Sequence, residues 1–138
     1  MKNLFLILLL SISLYANNLD AIKANIVLEL GHIITHNKVI KVYNTDPYFD
    51  NIFKENAQLQ KVMDYKKADL ILTSQSLIFP KNSGLNIIST NYRDYKKYKQ
   101  KDLGAFFWQK GRPNILLNRH ILESRNIKVQ TIYHKYLD

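Results

Sequence analysis

The chain has no cysteine, and its 138 residues include only four glycines and three prolines. Without cysteine it forms neither a disulfide nor a lipid-modified N-terminal cysteine. The four glycines stand far apart, so no glycine-rich loop is present to cradle a phosphate. No serine occupies the sequence context of a nucleophile elbow. We therefore expect a protein that is not an enzyme and that holds no cofactor.

Long hydrophobic runs are absent except at the N-terminus. There Lys2 precedes an unbroken apolar run from Leu4 to Leu10, and small or mildly polar residues follow as far as Ala16. This layout is typical of a secretory signal peptide, and the run is much shorter than the roughly 20 residues of a membrane-spanning helix. We expect residues 1–16 to be removed near Ala16. Export without cysteine favours a bacterial periplasm.

Acidic residues are also scarce. The chain has 20 Lys and Arg against 11 Asp and Glu, and removal of Lys2 leaves 19 against 11, a formal charge of +8. In a cytosolic protein this balance would suggest nucleic-acid binding. Export removes most nucleic acid from reach, so we expect no nucleic-acid partner and favour a lysine-rich, solubilising surface.

The apolar pattern of residues 17–138 predicts one three-layer α/β domain with a mainly parallel sheet flanked by helices. A first, amphipathic helix is predicted from a cap at Asn18 to Asn37, with Lys23, Asn25, Glu29 and His32 on its solvent side. Its predicted apolar stripe consists of Leu19, Ile22, Ile26, Val27, Leu30, Ile33 and Ile34.

Strands and further helices alternate after this helix. Consecutive apolar residues, as in Leu70–Leu72 and Ile87–Ile88, predict strands buried on both faces, which is typical of parallel sheets. Further predicted strands are Lys38–Tyr43, Leu59–Met63 and a C-terminal hairpin formed by Ala105–Gln109 and Asn114–Leu117. Predicted helices run from Asp46–Pro47 to Asn56, from Tyr92 to Lys101, and from a cap at Asn118 to Leu122. Residues 74–84 are predicted as a loop.

Three groups of residues are weak candidates for chemistry. Glu29, His32 and His36 share one face of a continuous helix and form a possible metal site, although a solvated polar face explains them better. Asp46 and Asp69 form a possible carboxylate pair for a hydrolase acting on the cell wall, but cap and turn roles are commoner. The tyrosines at 92, 95 and 98, interleaved with lysines, suggest either stacking on a ligand or, more plausibly, packing in the core.

The hairpin is the main candidate for protein binding. Phe107 and Trp108 point to opposite faces of their strand, so both faces need burial. If one face is left uncovered by the chain, these aromatic side chains form a contact patch with Lys110 and Arg112 as a charged rim. A fully covered core strand is an equally good interpretation.

The C-terminal part contains three short motifs, Leu103–Phe107, Lys110-Gly111-Arg112 and Leu116-Leu117-Asn118. In these motifs the chain resembles the YfiR-like family of small periplasmic α/β proteins, although only one glycine precedes the strand and the cysteines of many members are missing. It implies a binding module that restrains a membrane-bound diguanylate cyclase or a similar sensor from the periplasmic side.

We therefore expect a periplasmic regulatory module that contacts a membrane-anchored signalling protein, either a diguanylate cyclase or a sensor kinase. We expect no lipid anchor and keep a homodimer as an open alternative. The alternative is a small solute-binding domain with a cleft near Thr45–Asp46 and Thr73–Ser74, because both pairs follow apolar strands.

Overall fold

The computed structural model describes residues 2–80 and 84–138, and it describes side chains from Leu19 onward. Within these residues the fold has four α-helices and six strands, together with short 3₁₀ turns at Pro47–Phe49, Tyr65–Lys67, Ser76–Ile78 and Thr131–Tyr136. The helices are α1 (Lys2–Thr35), α2 (Ile52–Glu55), α3 (Tyr92–Lys97) and α4 (Arg119–Ser124). The strands are β1 (Ile40–Asn44), β2 (Leu59–Lys61), β3 (Leu70–Thr73), β4 (Ile87–Ser89), β5 (Gly104–Gln109) and β6 (Arg112–Leu117).

The strands form one sheet in the order β2-β1-β3-β4-β5-β6. The first five are parallel, and β6 runs antiparallel to β5 in a hairpin. This confirms the predicted three-layer α/β fold with a mainly parallel sheet and a C-terminal hairpin. The chain reverses its direction across the sheet between β1 and β3, and such a switch point opens a crevice at the carboxyl ends of the two strands.

Both faces of the sheet are buried, as the consecutive apolar residues predict. One face carries Val42, Leu72 and Phe106 and packs against α1, α2 and α4. The other face carries Ile71 and Ile87 beneath the turns around Tyr65 and Phe79. Beside them, Ala105 and Phe107 pack under Tyr95 of α3.

Helix α1 corrects the prediction at three positions. It begins at Lys2, so Asn18 lies inside the helix rather than at its cap. Lys23, predicted on the solvent side, is 3% exposed, whereas Ile22 of the predicted apolar stripe is 38% exposed. The face of α1 that is buried is therefore decided by its contact with the residues after β1. The local sequence pattern contains no information about that contact. Among the described residues, no helix combines the length and apolarity needed to span a membrane.

The shorter elements differ mainly at their ends. The segment from Asp46–Pro47 forms a 3₁₀ turn before α2 rather than one continuous helix, and α3 ends at Lys97 instead of Lys101. Helices this short depend on tertiary packing, so local propensity does not fix their length. The predicted loop at 74–84 contains a 3₁₀ turn, and its residues 81–83 lie outside the described residues, as does Met1 of the predicted signal peptide.

Candidate interaction surface

The hairpin separates the four residues predicted to bind a partner. Phe107 pairs across the strands with Asn114, whereas Trp108 pairs with Pro113 and points to the opposite face. The Phe107 side chain is only 9% exposed and packs with Tyr95 in the core. Trp108 is half-buried, with its ring 6.0 Å from that of Phe106. The four residues therefore do not form one patch, and Phe107 is a core residue.

Lys110 and Arg112 lie at the exposed tip of the hairpin. Lys110 and Gly111 have φ values of 54° and 73°, so they form the two-residue turn whose twist suits a hairpin. β5 pairs with β4 only at Gly104 and Ala105, so its remaining four residues extend past the end of β4. The tip therefore projects from the edge of the sheet at which the parallel strands end.

The same edge carries most of the exposed apolar side chains. Among the residues whose side chains are described, eight large hydrophobic residues are exposed. Five of these eight lie at most five residues after the carboxyl end of β1, β2, β3 or β4. These five residues are Tyr48, Met63, Leu77, Ile78 and Tyr92, with exposed fractions from 45% to 83%. Together with Lys110 and Arg112 they define what we call the carboxyl-edge surface. Apolar exposure concentrated in one region is typical of a contact site.

Lys23 holds one part of this surface in place. Its ammonium group lies 3.4 Å from the centroid of the Tyr48 ring and donates a 2.8 Å hydrogen bond to the Tyr48 carbonyl. It also lies 3.5 Å from the Asp20 carboxylate, so the buried charge is compensated. α1 is thereby joined to the turn that presents Tyr48.

A second network anchors the turn that presents Leu77 and Ile78. The Ser76 hydroxyl lies 2.6 Å from the Asp94 carboxylate and 2.8 Å from that of Asp102. Asp94 also accepts hydrogen bonds from the Ser76 N–H and the Ser89 hydroxyl. Lys101 donates to the carbonyls of Ser76 and Phe79, which frame the turn.

The carboxyl group of Asp102 has a raised pKa within this network. It is fully buried, and its Oδ1 atom has no hydrogen-bond partner in the described chain. Burial raises the pKa of its carboxyl group to about 7; the hydrogen bond from Ser76 opposes the rise, and the charge of Asp94 adds to it. Because Ser76 has a single hydroxyl proton, it cannot donate to both carboxylates at once; a proton on Oδ2 of Asp102 lets Asp102 donate to Ser76 while Ser76 donates to Asp94.

Of the four residues predicted to form a solute cleft, Thr45 and Thr73 bind each other, Asp46 binds its neighbours in the fold, and Ser74 is exposed. The hydroxyls of Thr45 and Thr73 lie 2.7 Å apart, and Thr73 is fully buried. Asp46 accepts a hydrogen bond from the Tyr48 N–H through Oδ1 and one from the Thr90 hydroxyl through Oδ2. These contacts give the polar groups a structural role.

The carboxylate pair predicted from Asp46 and Asp69 is wrong. Asp46 follows β1, whereas Asp69 precedes β3, so they lie at opposite ends of two parallel neighbouring strands. Asp69 binds the Lys41 N–H and the Asn37 amide instead. A two-carboxylate hydrolase mechanism is therefore excluded for this pair.

The weak candidate for a metal site, Glu29, His32 and His36, does not come together on one face of α1. His36 lies beyond the end of α1 with a left-handed φ of 59°, which removes it from the helical face. His32 and His36 line a cavity of about 210 Å³, but Glu29 binds Tyr133 and raises the pKa of that phenol. No group of three or more metal-ligating side chains occurs in the part of the chain that the structure describes.

The three α3-region tyrosines occupy different environments. Tyr95 is 1% exposed and belongs to the core, whereas Tyr92 is 49% exposed and Tyr98 is half-buried. The core interpretation is therefore right for Tyr95 only. The sequence did not identify Met63, Leu77 and Ile78 as surface residues of a contact site. The available signal was that these large apolar residues lie in segments predicted as a strand end or a loop.

No family model matches this chain, and neither a curated protein nor a solved structure does.

Proposed function

We propose that the protein is an exported regulatory module that restrains a membrane-anchored signalling protein, such as a diguanylate cyclase or a sensor kinase, through its carboxyl-edge surface. The observation that carries this proposal is the grouping of Tyr48, Met63, Leu77, Ile78 and Tyr92 after four neighbouring strands. Large side chains exposed at this level are costly in water and gain free energy when a partner covers them.

The charge of the surface defines the chemistry of the partner. Lys110 and Arg112 are exposed at the hairpin tip, and the whole chain has an excess of nine positive charges. A partner face with acidic residues around an apolar centre fits this arrangement, because complementary charge steers association. Arginine and aromatic residues at the rim and centre are also common in protein interfaces.

The direction of α1 places the start of the expected mature chain at the same edge of the sheet as the proposed surface. His32 near the end of α1 lies beside Lys38, just before β1, whereas Lys23 lies beside Tyr48, beyond the end of β1. The N-terminal part of α1 is therefore at the carboxyl edge. The predicted signal peptide and the resemblance to the YfiR-like family imply a membrane-anchored partner.

Site-specific photo-crosslinking in cells tests the proposal. A photoreactive phenylalanine analogue replaces Ile78, which is 59% exposed, or in the control Ile132, which is 67% exposed and lies outside the surface. We expect an adduct with a membrane protein that has a periplasmic domain from position 78 but not from position 132. Equal adducts from both positions, or none from 78, 77 and 48, would refute the proposed surface.

A further inference from the structure

A second feature of the molecule is a cavity of about 360 Å³ between α3 and the hairpin. This volume lies within the range of small-molecule sites. The residues of its wall that matter here are Tyr92, Lys96, Lys99, Phe107, Gln109 and Asn114. Three of them come from the α3 segment at helical spacing and three from the hairpin.

Aromatic rings form one wall of the cavity. The rings of Tyr92 and Phe107 have centroids 5.4 Å apart and are tilted by 42°. Phe107 is fixed in the core, whereas Tyr92 is half exposed and covers it from the side of α3. A flat ring entering the cavity therefore meets two aromatic side chains in the offset or tilted geometry that such rings favour.

The cavity already holds a carboxylate of the protein itself. The Oδ2 atom of Asp138 accepts a 3.0 Å hydrogen bond from the Tyr95 hydroxyl and lies 2.7 Å from the Lys99 ammonium group. Lys99 is the main cause that lowers the pKa of the Asp138 carboxyl group. Donors aimed at a carboxylate oxygen are thus built into this wall.

Positive charge exceeds negative charge around the cavity. Among the described residues that line the cavity, Lys96 and Lys99 carry basic side chains and Asp138 carries the one acidic side chain. Arg112 pairs with Gln109 across the hairpin, so it stands on the same face as Phe107 at the rim. The excess favours an anionic ligand, and the side-chain amides of Gln109 and Asn114 supply polar contacts at the opposite wall.

We propose that this cavity binds a small aromatic carboxylate. The ring lies against Phe107 and Tyr92, and the carboxylate binds Lys96 and competes with Asp138 for Lys99. The site is distinct from the switch-point cleft that the sequence suggested, and it concerns the isolated protein. It shares Tyr92 and Arg112 with the carboxyl-edge surface, but its test uses the isolated protein, so either proposal can fail without the other.

Titration of the purified protein with phenylacetate tests this site. NMR follows the side-chain amides of Gln109 and Asn114 while the ligand is added. Cyclohexylacetate, which keeps the charge without the aromatic ring, and phenylacetamide, which keeps the ring without the charge, are the matched ligands. We expect phenylacetate to shift the NMR signals of both amides. We also expect it to bind at least 10-fold more tightly than cyclohexylacetate and at least 10-fold more tightly than phenylacetamide. Absence of binding, or equal affinity for cyclohexylacetate, would overturn the proposal.

Substitutions then locate the charged contacts. Lys96→Met and Lys99→Met should each weaken phenylacetate binding about 10-fold, which corresponds to one charge-assisted hydrogen bond. Lys97→Met is the control, because Lys97 belongs to the same helix but its ammonium group lies over the Tyr98 ring. Asp138→Asn should tighten binding several-fold by removing the competing charge. Equal weakening by Lys97→Met, or weaker binding in Asp138→Asn, would contradict the assignment.

Discussion

Ser76 and Asp102 share a hydrogen bond of 2.8 Å directly below the turn that presents Leu77 and Ile78. The two residues stand 26 positions apart, and the bond joins the segment after β3 to the residue just before Leu103 and β5. It makes the shape of an exposed apolar turn depend on a buried titratable group. The protonation of Asp102 is therefore expected to affect stability.

The raised pKa of Asp102 predicts that its contribution to stability is lost as pH rises. The folded state binds the proton up to about pH 7, whereas the unfolded state releases it near the ordinary value of 3.8. The contribution is complete below pH 3.8 and declines as pH rises through 7. At about 1.4 kcal/mol per pKa unit, the shift from 3.8 to about 7 corresponds to a full effect on the order of 4 kcal/mol.

The substitution Asp102→Asn checks this dependence, because it keeps the shape and removes the titration. Urea unfolding at pH 5 and pH 8 gives the free energy of unfolding of both proteins. Between pH 5 and pH 8, the free energy of unfolding of Asp102→Asn should rise relative to that of the original protein by about 2 kcal/mol or more. A difference between the proteins that does not change with pH would show that Asp102 stays charged in the folded state.

Lys23 is expected to stabilise the fold despite its burial. The substitution Lys23→Met keeps the aliphatic stem but leaves the Tyr48 carbonyl without its donor and Asp20 without its ion pair. We expect a loss of about 1 to 3 kcal/mol in the free energy of unfolding. Lys54→Met, at an exposed position, is the control and should change it by less than about 0.5 kcal/mol. An unchanged or increased stability of Lys23→Met would mean that desolvation of the ammonium group outweighs its contacts.

Gly104 is required by a close backbone approach inside the sheet. A Cβ atom at this position would lie 2.3 Å from the Leu116 carbonyl oxygen of the paired strand β6. Gly104→Ala should therefore cost about 3 kcal/mol or more, because the strands must separate. Gly84→Ala provides the comparison: its φ is 70°, nothing lies within 4 Å, and the cost should be about 1 kcal/mol. Thermal unfolding of the two variants measures both costs, and equal losses would contradict the steric explanation.

The predicted signal peptide leads to a separate prediction, namely that the mature protein begins shortly after Ala16. Export in a Gram-negative host and intact-mass analysis should give an N-terminus within a few residues of Asn17. Ala16→Asp should prevent this processing, because the small residue before the cleavage site is lost. A periplasmic protein that retains Leu4–Leu10 would contradict the prediction.

Much of the fold follows from local pattern, whereas the surface does not. Consecutive apolar residues at Leu70–Leu72 predict a strand covered on both faces, and the turn signal at Lys110–Pro113 predicts the hairpin, because both signals are local. The structure shortens that turn to Lys110 and Gly111. The burial of Lys23 depends on a carbonyl 25 residues away. A lysine on an otherwise amphipathic helix gives no local sign of such a partner.

The carboxyl-edge surface could not be predicted from the sequence for a related reason. Leu77 and Ile78 belong to a segment predicted as a loop, and an apolar pair in a loop has the same sequence whether it is covered or exposed. Phe107 shows the converse, because its burial under Tyr92 and Tyr95 required the placement of α3 over the hairpin. Pattern identifies apolar residues, and tertiary packing decides which of them face solvent.

The most direct test of the central claim compares Ile78→Asp with Ile132→Asp. Both positions carry isoleucine and are similarly exposed, at 59% and 67%, but only Ile78 belongs to the carboxyl-edge surface. The affinity-tagged proteins capture their partner from detergent-solubilised membranes, and the captured signalling protein is identified and quantified by mass spectrometry. The account predicts at least a 10-fold loss of that protein with Ile78→Asp and no loss with Ile132→Asp. Equal capture by both variants would contradict the assignment of the surface.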